Sequence, residues 1–270
     1  MLFRSVISQS IHDNILYLAR GDWDTYLYAY SLDSPLAPQL LDSLLVTYYP
    51  ANIACGDGFL VCGSYDGTVV NTTDPANLQV SYKLHFPSGF EYGRNSAFAV
   101  RGTTLVVGCG YYVHVYDFSQ TPYFRSSVNL PFEVRGNKGY IYNNRFWCEY
   151  LELNGSPGIL GVDFSDLDAP QICYSETLPN NAIFPLYMDA QLMSLRTNAY
   201  ARYVKFCMLD GDSMPSFDLS YPLDSIYGIV SRGNWTVGVN SSNFIQILGF
   251  DVAETAYPQF SIGSEYYSYM

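Results

Sequence analysis

The chain has 270 residues, of which 49% are hydrophobic and 14% charged, and its formal net charge is −12. This composition is typical of a folded chain and excludes a long disordered one. Only 13 Lys and Arg stand against 25 Asp and Glu, so the chain repels phosphate backbones and we expect no nucleic-acid partner.

The sequence predicts neither a transmembrane segment nor a signal peptide. No stretch approaches 18 consecutive apolar residues, so we expect no transmembrane segment. The first residues, MLFRSVISQSIHDN, contain no apolar run of the length a signal peptide needs.

The 26 tyrosines, together with few lysines and many Ser and Asn, are typical of extracellular, cell-surface or virion proteins. This bias favours such a location over the cytoplasm.

The cysteines predict buried thiols and no metal site. They contain no C-x-x-C pair and have no paired His nearby, so we expect neither a metal nor another cofactor. If the hairpin turns at GDG (56–58), the residue opposite Cys62 is about Asn52 rather than Cys55, which argues against a local disulfide. The six cysteines lie at positions 55, 62, 109, 148, 173 and 207.

One pattern recurs six times along the chain: an apolar run, an Asp or Ser turn, and in most copies a proline. In chain order the copies read YAYSLDSPLAP (28–38), VVNTTDPANL (69–78), HVYDFSQTPYF (114–124), GILGVDFSDLDAP (158–170), KFCMLDGDSMP (205–215) and ILGFDVAETAYP (247–258). Equivalent positions in successive copies lie 41, 46, 46, 46 and 41 residues apart. A repeat of about 45 residues therefore accounts for the whole chain.

A second marker, an apolar strand that follows a turn residue, keeps the same phase. Its copies are DNILYLA (13–19), GFLVCG (58–63), TTLVVGCG (103–110), NRFWCEYL (144–151), AQLMSL (190–195) and NWTVGV (234–239). Each unit resolves into four short runs rich in Val, Ile, Tyr and Phe, here called strands a to d. No segment has ten or more residues with helical apolar spacing, so the chain is predicted to be all-β.

Four-stranded units of this length predict a six-bladed β-propeller with four antiparallel strands per blade. Packing each unit on the next covers both faces of every sheet, which a lone meander cannot do. We expect one domain, closed without a strand shared between the first and last blades; a large β-sandwich or two barrels is the alternative. The predicted blades are residues 1–47, 48–87, 88–132, 133–180, 181–223 and 224–270.

The fourth copy, with Val162, Asp163, Ser165, Asp166 and Pro170, resembles the LVIVD-repeat propellers. In that family the third strand of a blade ends in a vvDvSdP run, and the fourth strand begins after a proline. HVYDFSQTP also fits, whereas the last two copies keep an Asp and a Pro but lose the Ser-Asp core. The resemblance implies a propeller of surface or secreted proteins, and no catalytic residues carry over from it.

The repeated Asp residues fall at the end of strand c and in the turn after it. Short Asp and Ser side chains there accept hydrogen bonds from backbone N–H groups and close the turn. We therefore interpret them as structural rather than as a calcium or acid site. They are Asp33, Asp74, Asp117, Asp163, Asp166 and Asp210.

The candidate binding site lies in the loops between strands b and c and between strands d and a, which share one face of a propeller. Aromatic rings stand there beside carboxylates and Arg, which suits a sugar or a protein partner because rings contribute area and charges fix orientation. The candidates are Asp22, Trp23 and Asp24 in ARGDWDTY (19–26), Phe90, Glu91, Tyr92 and Arg94 in PSGFEYGRN (87–95), and Glu133 and Arg135 in PFEVRGNKG (131–139).

The sequence supports three functional hypotheses. The first is a non-enzymatic binding or assembly module that presents this loop face to a protein or glycan partner. The second is a carbohydrate-active or lactone-acting enzyme that uses two converging carboxylates among Asp24, Glu91 and Glu133. The third is a structural subunit of an oligomer or a larger complex. The sequence contains no G-x-S-x-G, H-E-x-x-H or phosphate-loop motif, so we assign no catalytic residues.

Overall fold

The computed structural model describes residues 6–21, 24–47, 52–63, 66–85, 96–119, 123–134, 139–152, 155–177, 187–189, 192–197, 203–208, 219–222, 226–232, 235–240, 245–250 and 256–262. Beyond residue 177 the description covers the backbone of strands alone. Every regular element within these ranges is a β-strand, which confirms the predicted all-β class.

The chain divides into two compact units. The first comprises Met1–Asn154 and Ile159–Ser175, and the second comprises Gly155–Gly158 and Glu176–Met270. Each unit is described below by itself, and the single domain expected from the sequence stays a prediction.

The first two sheets are four-stranded antiparallel meanders in which strands pair in chain order. The first sheet consists of β1 (Val6–His12), β2 (Ile15–Arg20), β3 (Thr25–Ser31) and β4 (Gln39–Thr47). The second consists of β5 (Asn52–Gly56), β6 (Phe59–Gly63), β7 (Asp66–Asn71) and β8 (Gln79–His85). Each sheet is therefore one repeat of the sequence pattern.

The third sheet has seven strands and contains the next two repeats. Its path runs β15-β14-β13-β11-β10-β9, and β12 pairs with β13 off this path. Its strands are β9 (Ala97–Arg101), β10 (Thr104–Asp117), β11 (Tyr123–Val134), β12 (Tyr140–Tyr142), β13 (Arg145–Leu151), β14 (Pro157–Asp163) and β15 (Gln171–Thr177).

The long strand β10 is a hairpin that folds back on itself near Gly110. A straight strand of this length would separate its ends by roughly 45 Å. Instead the N–H of Phe118 donates to the carbonyl of Thr103 at 2.8 Å, and Gly110 has a φ of 55°. The first arm of β10 pairs with β9 and the second arm with β11. Counted as two arms, β10 supplies strands b and c of the third repeat.

Residues 131–134 join the third and fourth repeats into one sheet. Val134 lies opposite Gly110 of β10 and also opposite Tyr150 of β13, and Glu133 lies opposite Leu151. The predicted boundary at 132 therefore falls inside β11. The third and fourth repeats therefore share one sheet, because the connection between them itself forms ladder hydrogen bonds, and the count of six blades stays a prediction.

The fourth and fifth sheets belong to the second unit, and each pairs its four strands antiparallel in chain order. The fourth sheet consists of β16 (Tyr187–Asp189), β17 (Leu192–Thr197), β18 (Tyr203–Met208) and β19 (Leu219–Pro222). The fifth consists of β20 (Ile226–Arg232), β21 (Trp235–Asn240), β22 (Ile245–Phe250) and β23 (Ala256–Ile262).

Two-residue turns connect strands a and b in the first unit. Asp13-Asn14 and Asn143-Asn144 have positive φ at both positions, which the favoured hairpin turns require and which Asn and Asp tolerate. The turn after β5 is Asp57-Gly58, since Gly56 already pairs with Phe59. Cys62 consequently lies opposite Ile53, one residue away from the predicted Asn52.

A bulge interrupts the pairing of strands c and d close to the corner that joins them. In the first sheet Tyr30 faces Leu40 and Ala29 faces Asp42, which leaves Leu41 without a partner. Equivalent shifts occur between β7 and β8, between β10 and β11, and between β22 and β23. Such bulges twist an edge strand and discourage edge-to-edge pairing with another chain.

Three core clusters hold the first unit together, and each joins two consecutive repeats. One contains Leu27 and Leu60 and joins the first and second sheets. Another contains Val61 and Leu105 and joins the second repeat to the third. The last contains Val106 and Phe146 and joins the third repeat to the fourth. The faces of consecutive repeats therefore pack on one another, as sequence patterning predicted.

Buried polar side chains tie together the first strands of three repeats. Ser8 of β1 donates from its hydroxyl to Oδ1 of Asn52 at 3.3 Å and accepts the N–H of Ile53 at 3.1 Å. Asn52 in turn donates from Nδ2 to the carbonyl of Phe98 in β9 at 3.3 Å. These bonds satisfy an amide that is otherwise costly to bury.

Candidate functional site

The predicted loop site falls mostly outside the described residues. Asp24 is exposed and lies immediately before β3 of the first sheet. Glu133 is 5% exposed and lies on β11 rather than in the predicted loop, because residues 133 and 134 pair with β13. The two therefore belong to different sheets. The candidates that lie outside the described residues are Asp22, Trp23, Phe90, Glu91, Tyr92, Arg94 and Arg135.

The repeated aspartates shape the turns between strands c and d, as predicted. Asp117 accepts the N–H of Ser119 at 2.8 Å, and this hydrogen bond is the main cause that lowers the pKa of the Asp117 carboxyl. Asp163 accepts the N–H of Ser165 at 2.8 Å in the same way. Asp74 accepts the N–H of Ala76 at 3.0 Å. Asp210 lies outside the described residues.

These corners also bind to the fourth strand of the preceding repeat. Asp42 of β4 accepts the N–H of Leu78 at 2.7 Å. Arg125 of β11 donates from Nε and Nη2 to the two carboxylate oxygens of Asp168, at 2.8 and 2.6 Å. This paired hydrogen bond lowers the pKa of Asp168 and keeps its carboxylate ionised. The corners are therefore structural joints between repeats.

The surface that stands out in the first unit is formed by apolar side chains on the fourth strand of each repeat. Of the 11 exposed large hydrophobic residues in the described part of the chain, seven lie on β4, β8, β11 or β15. We call these seven the fourth-strand surface. They are Leu40, Leu45, Val80, Tyr82, Tyr123, Phe124 and Ile172.

Tyr123 is the most exposed member of the fourth-strand surface, with 63% of its surface accessible. The guanidinium carbon of Arg125 lies 5.9 Å from the centre of its ring. Arg125 is itself held by Asp168, and a guanidinium within about 6 Å of a ring centre is attracted to the ring face.

Sequence reasoning missed the fourth-strand surface. Apolar residues in a strand-like run predict burial, so the exposure of these side chains was not expected. The bulge changes which residues of the strand face inwards, and the strand has a sheet neighbour on one side only over most of its length. The signal in the sequence was adjacent apolar residues, such as Tyr123 and Phe124, directly beside the corner.

The described cysteines are free thiols. Cys62, Cys109 and Cys148 are buried, and burial raises the pKa of the Cys109 thiol to about 11 and that of Cys55 to about 12. Among the residues whose side chains are described, no three His, Cys, Asp or Glu side chains cluster as metal ligands would. The described part of the chain also holds no helix long and apolar enough to cross a membrane.

We expect native thiol reactivity to follow exposure. In folded protein, iodoacetamide should modify the half-buried Cys173 first and leave Cys62 and Cys148 unmodified, because thiolate formation is opposed by burial. Peptide mass spectrometry after a time course measures the rates, with urea-unfolded protein as the control. Equal rates for Cys62 and Cys173 in folded protein would contradict the packing described above.

Solved structures place the chain among the propellers. It superposes on a chain of the Mitotic Checkpoint Complex with a TM-score of 0.62 and 11% identity, covering 93% of this chain and 77% of that one. It matches Kluyvelomyces marxianus Hsv2 with a TM-score of 0.59 and 8% identity, covering 93% and 75%. It matches the Pseudomonas aeruginosa periplasmic gluconolactonase PpgL with a TM-score of 0.69 and 10% identity, covering 95% and 85%.

These likenesses concern the fold alone, since identities are 11% or lower. The similar structures are propeller-like folds, so the chain has an all-β fold of propeller type. No family model and no curated protein sequence matches the chain. Function therefore has to be argued from the residues of this chain.

Proposed function

We propose that this chain is a non-enzymatic binding or assembly module, a six-bladed β-propeller that holds a protein partner on its fourth-strand surface. Support for the fold comes from the six in-phase sequence copies and from the propeller-like structures that the chain resembles. Further support is that the first unit packs four consecutive four-stranded repeats face to face. Membership of the LVIVD-repeat propellers, and a location on a cell surface or particle, stay part of this proposal.

The observation that carries the proposal is the exposure of large apolar side chains along four consecutive fourth strands. Removing apolar area from water contributes about 25 cal/mol per Å², so exposed rings and leucines favour association. Contiguous exposed apolar surface marks interaction sites in folded proteins, and Tyr123 and Phe124 are neighbours in the chain that are both exposed. Tyrosine is also a residue type that often dominates binding energy.

The proposal adds to the loop face predicted from the sequence and does not replace it. A glycan or protein partner at Trp23 and Phe90 stays a prediction, because both residues lie outside the described part of the chain. The enzyme hypothesis receives no specific support from the described carboxylates, since Asp24 is exposed whereas Glu133 is buried. The likeness to a gluconolactonase is one of fold.

Site-specific photocrosslinking in the source cells tests the proposal. A photoreactive phenylalanine at position 123 should give one discrete protein adduct, because Tyr123 is exposed on the fourth-strand surface. The matched control is position 11 on β1, where Ile11 is also 63% exposed but lies on the first strand of its repeat. An adduct whose protein component has the mass of this chain would identify self-assembly as the form of association.

Substitution supplies the quantitative part of the test. Tyr123→Ser should weaken the association at least about tenfold without changing the unfolding midpoint, since its ring is mainly solvent-exposed. Ile11→Ser should leave the association unchanged. Adducts of equal yield at positions 11 and 123, or unchanged affinity in Tyr123→Ser, would refute the fourth-strand surface as the binding site.

A further inference from the structure

His114 is enclosed in the first unit without a hydrogen-bond partner. It lies on the second arm of β10 and is 2% exposed. Its ring centre lies 5.6 Å from that of Tyr112, 6.4 Å from that of Tyr116 and 6.0 Å from that of Phe124. Neither ring nitrogen has a hydrogen-bond partner. Burying a neutral imidazole without a hydrogen-bond partner costs much less free energy than burying the protonated, charged form.

The face of β10 that carries His114 is turned toward the second sheet. Tyr116, two residues along the same face, packs in the core cluster that joins the second and third repeats. That cluster includes Val69 of β7 and Leu84 of β8. Tyr112 and Phe124 are partly exposed, so His114 lies near the margin of this contact. Protonation of His114 would therefore affect the contact between the second and third repeats.

The titratable groups around His114 supply no compensating charge. On the face of β10 that carries His114 they are Tyr112 and Tyr116, and both Cys109 of β10 and Tyr82 of the second sheet interact electrostatically with Tyr116. Strand β8 also ends in a histidine, His85, so the variants at position 114 are needed to assign the acid response. Strand β11 contributes Phe124 and places Ser127 opposite His114.

The described charged side chains of β8, β10 and β11 have partners of their own. Lys83 donates to Thr68 at 3.3 Å, Arg125 pairs with Asp168, and Asp117 of β10 accepts the N–H of Ser119 and lies 3.7 Å from Arg125. Burial alone lowers the pKa of His114 to about 4.

We propose that His114 makes the contact between the second and third repeats acid-sensitive, so that its protonation favours an open state in which β10 and β11 separate from β8. The unpartnered nitrogens, the ring enclosure and the position at the joint between repeats carry this inference. It is independent of the partner proposed for the fourth-strand surface.

The direction follows from proton binding in the two states. In the open state the imidazole is hydrated and has a pKa of about 6.5. In the closed state its pKa is about 4. Opening therefore takes up a proton between pH 6.5 and pH 4, so acid favours the open state and the closed state is fully favoured above pH 6.5. For these two pKa values the ratio of open to closed molecules rises roughly 25-fold from pH 7.5 to pH 5.

Amide hydrogen exchange of the full chain tests the proposal. After correction for the pH dependence of intrinsic exchange, peptides of β8, β10 and β11 should show an opening equilibrium about 25-fold larger at pH 5 than at pH 7.5. Peptides of β13 to β15 serve as the internal reference, since the fourth repeat contains no histidine. The first sheet is unsuitable as a reference because it contains another histidine, His12, which lies 3.4 Å from Asp13.

Two variants separate the acid response from packing. His114→Phe should keep the enclosed ring and remove the pH dependence of exchange in these strands. His114→Gln keeps a neutral polar side chain and should also show no pH dependence, so it serves if the phenylalanine variant does not fold. A pH response that persists in either variant, or an equal response in β13 to β15 of the unsubstituted chain, would overturn the proposal.

Discussion

Replacing Trp147 with alanine is expected to lower the free energy of unfolding by about 3 to 5 kcal/mol. Trp147 is 1% exposed, and its ring fills the space above Gly161 of β14. A Cβ built on Gly161 would lie 2.8 Å from Cζ3 of that ring, so the indole contacts the neighbouring strand without a gap. The alanine variant would leave a cavity that the surrounding strands cannot close. Urea unfolding followed by circular dichroism measures the change.

Two further variants make this expectation specific. Trp147→Phe should lower the free energy of unfolding less than Trp147→Ala does, because an aromatic ring remains in the space. It also removes the indole Nε1, which is buried without a hydrogen-bond partner. Gly161→Ala alone should destabilise by overpacking, and the double variant Trp147→Ala with Gly161→Ala should be less destabilised than the sum of the singles. A cost under about 1 kcal/mol for Trp147→Ala would show that the ring does not fill this space.

Replacing Gly56 with alanine is expected to destabilise the chain by about 3 kcal/mol. A Cβ at this position would lie 2.5 Å from Cγ1 of Val100 and 2.6 Å from the carbonyl oxygen of Gly102. The oxygen belongs to the backbone of the next repeat and accepts the N–H of Asp57 at 3.0 Å. The second and third repeats would therefore have to move apart at their turns. Urea unfolding again gives the magnitude.

Gly155 provides the matched control for this substitution. It has a φ of 85°, yet a Cβ there would meet no atom within 4 Å. Gly155→Ala should therefore cost about 1 kcal/mol from backbone conformation alone. If the two substitutions lowered the free energy of unfolding equally, the close approach of the second and third repeats would not explain the effect of Gly56→Ala.

Much of the strand pattern could be predicted because it depends on local sequence. In the third repeat the second marker, TTLVVGCG (103–110), coincides with the first arm of β10. The turn role of Asp117 and Asp163 could also be read from sequence, since an Asx turn needs only a short carboxylate two residues before the N–H that it accepts. The repeats strengthened these predictions, because the same residue pattern occurs at equivalent positions in successive copies.

Features that depend on pairing between strands could not be predicted. A bulge such as that at Leu41 changes register by one residue, and no local residue type announces it. The pairing of Val134 with both Gly110 and Tyr150 depends on contacts between repeats. His114 begins the third copy of the repeat, but that pattern does not indicate a buried imidazole, and only the packing of Tyr112, Tyr116 and Phe124 around it shows its enclosure.

The candidate site also depends on contacts between strands that local sequence does not show. Sequence reasoning looked for function in loops where the copies differ, because such loops carry aromatic and charged residues together. The fourth-strand surface lies on strands, where apolar residues normally indicate core. Distinguishing Tyr123 from a buried tyrosine required its exposure, which depends on what packs against the edge of the sheet.

Hydroxyl-radical footprinting tests the binding role of the fourth-strand surface most directly. It compares the purified chain with the native assembly isolated from its source cells, and mass spectrometry reports oxidation of each side chain. The proposed function predicts that Tyr82, Tyr123 and Phe124 are oxidised in the purified chain and protected severalfold in the assembly, while Ile11 is oxidised equally in both. Equal oxidation of these three side chains in both samples, with protection at Trp23 and Phe90 instead, would contradict it and place the partner on the loop face.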